Sequence, residues 1–172
     1  MSSISMVNGV YYVDTAVIWS NRNKDRLLSG LALDSLEEKK TVAGIPAFIR
    51  AFLDSISPGK VFNIIDAHIA WRTGDIKDFA FTGAYDRGKQ EKTCVLSCGS
   101  QYLPNKQLIY FGSGKYIALL SYYTEGPGRG QCTALIRFNH EQVIDFWFNN
   151  DPLKLWSKKS EILKSIHPGQ SC

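Results

Sequence analysis

Two carboxylates and one histidine stand where they can do proton chemistry. Asp66 and His68 lie two apart in Asp66-Ala-His-Ile-Ala-Trp71, which reads as a strand, so their side chains share a face. A carboxylate beside an imidazole holds the ring in one tautomer and raises its basicity. The plainer readings are that Asp66 caps a helix–strand junction and that His68 is a buried, hydrogen-bonded histidine. In Val143-Ile-Asp-Phe-Trp-Phe-Asn149, Asp145, Trp147 and Asn149 fall on one face, opposite Ile144, Phe146 and Phe148. An Asp145 carboxyl among aromatic rings is expected to have a pKa raised by desolvation, which suits a general acid or base near neutral pH. The plainer reading puts that face in solvent or in a dimer seam. Arg137, on the preceding strand, can pair with Asp145, and the pair is then structural or grips an anionic substrate. Tyr122 and Tyr123 are adjacent, so one of them faces inward, where its hydroxyl can stabilise a developing enolate. Trp71, Trp147 and Asn149 complete the candidate substrate contacts; Trp71 falls opposite Asp66 and His68 unless a bulge intervenes.

Other chemistries lack their residues. No G-x-x-x-x-G-K-[ST], G-x-G-x-x-G or G-x-S-x-G string occurs, so nucleotide cradles and the α/β-hydrolase elbow are not indicated. Gly126-Pro-Gly-Arg-Gly130 sits between two strand-like runs and reads as a loop. His68, His140 and His167 are too few and too scattered for a metal site, and Cys94 and Cys98 have the wrong spacing for zinc. No motif surrounds Cys98 that would make it a nucleophile. Metal and cofactor are therefore both expected to be absent, and Cys94, Cys98, Cys132 and Cys172 to be free thiols.

The formal charge of +4 comes from 20 basic and 16 acidic residues spread along 172 positions. That pattern lacks the basic stripe of a nucleic-acid binder. No apolar run approaches the length of a membrane span, and the start does not resemble a signal peptide. The expectation is a single soluble cytoplasmic domain.

The elements that must position these groups are clearest after Thr41. Ile45, Phe48, Ile49 and Phe52 have the spacing of an amphipathic helix over 44–56, stopped by Ser57-Pro-Gly59. Val61 to Ile65 reads as a short helix running into the strand Asp66–Trp71. Phe79–Gly83 reads as extended, and Gly88–Cys98 reads as a helix that also suits a strand. A β meander follows: Leu108–Phe111 and Tyr116–Tyr123 joined through Gly112-Ser-Gly114, then Gln131–Phe138 and Val143–Asn149 joined through Asn139–Gln142. Leu153–Ile166 reads as a terminal helix. Before Thr41, Val10–Trp19 favours a strand, and Lys24–Leu36 has helical spacing, with Leu27, Leu28, Leu31 and Leu33 near one face. Residues 1–40 read as an extension packed on the domain 41–172 or on a partner.

This order resembles the nuclear transport factor 2-like superfamily, and within it the SnoaL-like cyclases and isomerases. Three patterns carry the resemblance: Asp66–Trp71 after two helices, Phe79-Ala-Phe-Thr-Gly-Ala-Tyr-Asp-Arg-Gly88, and the meander from Lys115 to Asp151 ending in an acidic residue. The resemblance implies an α+β fold in which a strongly curved antiparallel sheet forms a cone against three helices, often as a homodimer through the outer face of the sheet. It implies a cofactor-independent isomerase, cyclase or dehydratase acting on a small, largely apolar polyketide- or terpenoid-like substrate, with acid–base work by Asp66, His68 and Asp145. The same fold also serves non-enzymatic ligand carriers and dimeric interaction modules, so a binding module is the alternative.

Overall fold

Four long runs of β-branched and aromatic residues between 106 and 151 build the centre of the molecule. The computed structural model describes residues 4–14, 23–57, 61–66, 106–124, 130–151 and 156–166. In chain order these form β1 (Ile4–Val7), β2 (Val10–Val13), α1 (Lys24–Leu33), β3 (Glu37–Lys39), a 3-10 turn (Val42–Gly44), α2 (Ala47–Ile56), β4 (Ile64–Ile65), β5 (Lys106–Ser113), β6 (Ile117–Thr124), β7 (Gly130–Asn139), β8 (Gln142–Asp151) and α3 (Lys159–Ile166).

The main sheet runs β3-β5-β6-β7-β8 with antiparallel neighbours, and β4 adds a short parallel pairing to β5. The described strands do not close into a barrel. Both faces of the sheet are covered. On one, α2 and the β1–β2 hairpin pack over Leu108, Leu120, Tyr122, Ile136, Phe146 and Phe148. On the other, α1 and α3 pack over Tyr110, Ile117, Leu119, Leu135 and Trp147. Two-sided burial explains why β6 is apolar almost throughout instead of alternating with polar residues. Aromatic rings fill the first face: Phe52 and Phe146 lie 5.2 Å apart, and Tyr11 meets Phe52 edge-on at 5.5 Å.

Two irregularities reset which residue faces which side. One lies between Leu108 and Tyr110 in β5, the other beside Ile144 in β8. Leu108 and Phe111 therefore reach the same core although they are three apart. Val143 joins Phe146 in that core, while Ile144 is left exposed. A bulge does this by inserting one unpaired residue, which flips the phase of everything beyond it.

Several local expectations need correction. Helix α2 begins at Ala47, not at 44: Ile45 precedes Pro46 and is extended, with φ −75° and ψ 121°, as residues before proline are biased to be. Val61–Asn63 is not helical, and Ile64–Ile65 pairs with Lys106–Gln107 as a sheet edge. The β-branched residues at 61, 64 and 65 favour that outcome. Leu33 ends α1 at 90% exposure instead of sharing the buried face of Leu27, Leu28 and Leu31. The C-terminal helix starts at Lys159, after a non-helical Trp156–Lys158. Residues before Thr41 supply α1 to the core and β3 to the main sheet. The strand beyond Asp66, the extended 79–83 and the segment 88–98 lie outside the described residues.

Candidate functional site

Helix α1 is fixed to the sheet by the carboxylate expected to do chemistry. Asp145, 3% exposed on β8, accepts at Oδ1 from Asn23 Nδ2 at 2.7 Å and from the Phe146 N–H at 3.0 Å. Its Oδ2 takes the guanidinium of Arg26. Asn23, the residue capping the N-terminus of α1, and Arg26 in its first turn are three apart, so both reach one point on the sheet. Arg137 stands directly across from Asp145 in register, yet its side chain is exposed, and the ion pair of Asp145 is made with Arg26. The expected Arg137 pairing is therefore replaced, because α1 covers this face and delivers a nearer cation.

Asp66 works on the opposite side of the sheet. Its half-buried carboxylate accepts from the backbone N–H of Val42, at the start of the 3-10 turn, whose Val42 side chain lies in the α2-side core. This is a turn-capping role. Asp66 and Asp145 thus do not share a site; His68 and Trp71 lie outside the described residues. Trp147 is buried between α1 and α3, and Asn149 is half-buried on the same strand. Of the two adjacent tyrosines, Tyr122 faces the α2-side core and Tyr123 is half-buried on the other face.

Tyr122 belongs to a cluster that no local pattern announces. Strand register places it across from both Leu108 and Cys132. Its hydroxyl bonds the Cys132 sulfur, and its ring meets Phe62 edge-on at 5.1 Å. Lys106 sets its Nζ 5.0 Å above the same Phe62 ring, within the range of a cation–π contact. Burial pushes the Tyr122 hydroxyl well above its usual pKa, with the Cys132 charge and hydrogen bond adding to it. Burial likewise raises the Cys132 thiol, against the opposing pull of Tyr122 and Lys106. The Lys106 amine is lowered by burial, with Cys132 acting in the other direction. These residues come from positions 62, 106, 122 and 132, and only β4–β5–β6–β7 pairing unites them.

Beside Phe62 lies a cleft of about 320 Å³ between α2 and the 61–64 segment. Ile45, Ala47, Ala51, Phe62 and Ile64 give it apolar walls; Arg50, Asp54 and Asn63 supply polar groups. Asp54 is committed, since its Oδ1 accepts from the Phe62 N–H at 2.7 Å and ties the two walls together. The Arg50 Nε is buried and has no hydrogen-bond partner among the described residues. Arg50 and Asp54 are four apart on α2, at helical spacing on one side; read for its apolar stripe alone, the helix hides this second face.

Among the described residues no group of three or more His, Cys, Asp or Glu side chains is arranged to hold a metal ion. No described helix is long and apolar enough to cross a membrane. No family model, curated protein or solved structure matches the chain. Fold and site together define an α+β domain with a two-sided core and a cleft of ligand size at the margin of its sheet.

Proposed function

We propose that this domain is a non-enzymatic module that binds one small, largely apolar molecule bearing an anionic group, in the cleft between α2 and residues 61–64. The observation that carries this reading is the Arg50 Nε: buried, without an acceptor among the described residues, on the wall of an otherwise mainly apolar cleft. A buried donor left unpaired costs about 1–3 kcal/mol. A carboxylate or phosphate oxygen removes that cost, and guanidinium binds such groups through paired N–H donors. The cleft volume of about 320 Å³ falls at the small end of ligand sites. Membership of the nuclear transport factor 2-like superfamily and the curved cone belong to the same proposal, supported by the three helices and the antiparallel meander. Pairing of two copies, if part of it, must use an edge or a helix-covered surface, since α1 and α3 occupy the face opposite α2.

A SnoaL-like isomerase, cyclase or dehydratase is the second reading. The inward Tyr122 hydroxyl favours it, as a donor held neutral by burial. Asp66 and Asp145 give it no shared acid–base pair.

The binding reading is tested by thermal shift against a panel of aliphatic and aromatic monocarboxylates, each with its matched primary alcohol. Carboxylates are expected to raise Tm where the alcohols do not, and Arg50→Met is expected to remove the response while keeping the far-UV spectrum. A panel without effect, or an equal response from Arg50→Met, rejects it.

A further inference from the structure

We infer that the cleft between α2 and residues 61–64 selects an apolar α-amino acid, with its carboxylate at Arg50 and its ammonium at Asp54. The inference rests on the anion-binding reading of that cleft and narrows the ligand to a zwitterion.

Opposite charges on one wall carry it. Arg50 and Asp54 both line the cleft and stand four apart on α2, a spacing that sets Cβ atoms about 5–6 Å apart on one side of a helix. They make no ion pair with each other among the described residues. The buried Arg50 Nε is a donor without an acceptor among the described residues. Asp54 is held in place, because its Oδ1 accepts from the Phe62 N–H at 2.7 Å. A carboxylate offers about four lone-pair sites over its two oxygens, so that bond leaves capacity for a donor on a ligand. Ile45, Ala47, Ala51, Phe62 and Ile64 supply apolar lining, which suits a hydrocarbon side chain.

The balance of charge sets the ligand class. A carboxylate alone meets the guanidinium but also brings its negative charge towards Asp54, and an amine alone brings its positive charge towards Arg50. A zwitterion with both groups on one carbon sets each charge against its opposite, so neither is left uncompensated when water is displaced. The cleft volume of about 320 Å³, at the small end of ligand sites, suits one amino acid better than a longer chain.

Titration calorimetry of the full chain compares phenylalanine with hydrocinnamate, which lacks the ammonium, and with phenethylamine, which lacks the carboxylate. Leucine and isocaproate repeat the first comparison on an aliphatic skeleton. At least one amino acid is expected to bind about tenfold more tightly than its matched carboxylate, as one added charge-assisted hydrogen bond allows, and phenethylamine to bind more weakly than phenylalanine. Asp54→Asn keeps a side-chain oxygen for the Phe62 N–H and is expected to erase the preference for the amino acid. If neither amino acid outbinds its carboxylate in the unaltered protein, including no binding at all, the inference is overturned, and that outcome depends on no variant folding. Carboxylates that bind as tightly as the amino acids overturn it while leaving the anion-binding reading in place. A full preference retained in Asp54→Asn also overturns it, since the ammonium is then held elsewhere.

Discussion

Asn23 donates from Nδ2 to Oδ1 of Asp145 at 2.7 Å, joining positions 122 apart in the chain. This contact, with Arg26 on the other carboxylate oxygen, docks the first turn of α1 onto β8. The two contacts are not equal. Arg26 is 62% exposed, and an ion pair with an exposed partner is worth under about 1 kcal/mol. Arg26→Ala is therefore expected to cost less than about 1 kcal/mol. Asp145→Ala leaves the part-buried Asn23 amide and the Phe146 N–H without their acceptor, and is expected to cost about 2–3 kcal/mol. Urea unfolding of both variants checks the ranking. Hydrogen exchange over 24–33 should show faster opening of α1 in Asp145→Ala. Equal losses in the two variants would mean that the ion pair dominates the docking.

Asp34, just past α1, holds the β5–β6 turn. Its carboxylate accepts from the Lys115 N–H at 3.0 Å and the Tyr116 N–H at 2.9 Å. Burial alone would raise its pKa, but the backbone donors of Tyr116, Lys115, Ile117 and Ser35 outweigh it and hold the group below its ordinary 3.8. A carboxylate with a lowered folded-state pKa stabilises the fold above its unfolded pKa and loses that contribution as pH falls through the folded value. The wild type is thus expected to lose stability on acidification below the ordinary carboxylate range, and Asp34→Asn to lose less over the same interval, since it lacks that titration. Urea midpoints at neutral and acid pH measure this. A Cβ on Gly114 would run into the Asp34 carboxylate. Gly114→Ala should therefore be costly in the wild type and much milder in the Asp34→Ala background, a non-additivity that a double-mutant cycle reads directly.

The β7–β8 turn carries avoidable strain. His140 and Glu141 have φ of 47° and 61°, the left-handed pair of a two-residue hairpin. The β1–β2 turn solves the same problem with Asn8-Gly9, at φ 51° and 78°. A left-handed L-residue costs roughly 1–2 kcal/mol, which the added freedom of glycine in the unfolded chain partly offsets. Replacing His140-Glu141 by Asn-Gly is expected to raise stability by about 0.5–1 kcal/mol. A lowered Tm in the double variant would mean that His140 or Glu141 makes a contact that outweighs the strain.

The helices and hairpins of this chain were legible where a period could be read. Ile49 and Phe52 face the core as their spacing predicts, and the four meander strands fall close to their expected positions. Errors gathered where a neighbour overrode a local preference: Pro46 delayed α2, and the open edge of β5 drew Ile64–Ile65 into a parallel pairing. The candidate site was less legible. Asp145 looked poised for catalysis because its strand neighbours are aromatic; the groups that engage it, Asn23 and Arg26, come from a helix more than a hundred residues earlier. Lys106, Tyr122 and Cys132 stand in three different strands and show no common spacing.

The pattern of apolar residues by itself determined that this chain makes amphipathic helices and a meander of long strands. Periods of about 3.6 and 2 are properties of single segments, and side chains obey them locally. Only the tertiary structure decided what covers each face of the sheet, which way the residues beyond each bulge point, and hence which polar groups meet. Those outcomes depend on register and on contacts between distant segments, and a single inserted residue beside Ile144 is enough to turn Val143 into the α2-side core while Asp145 stays under α1.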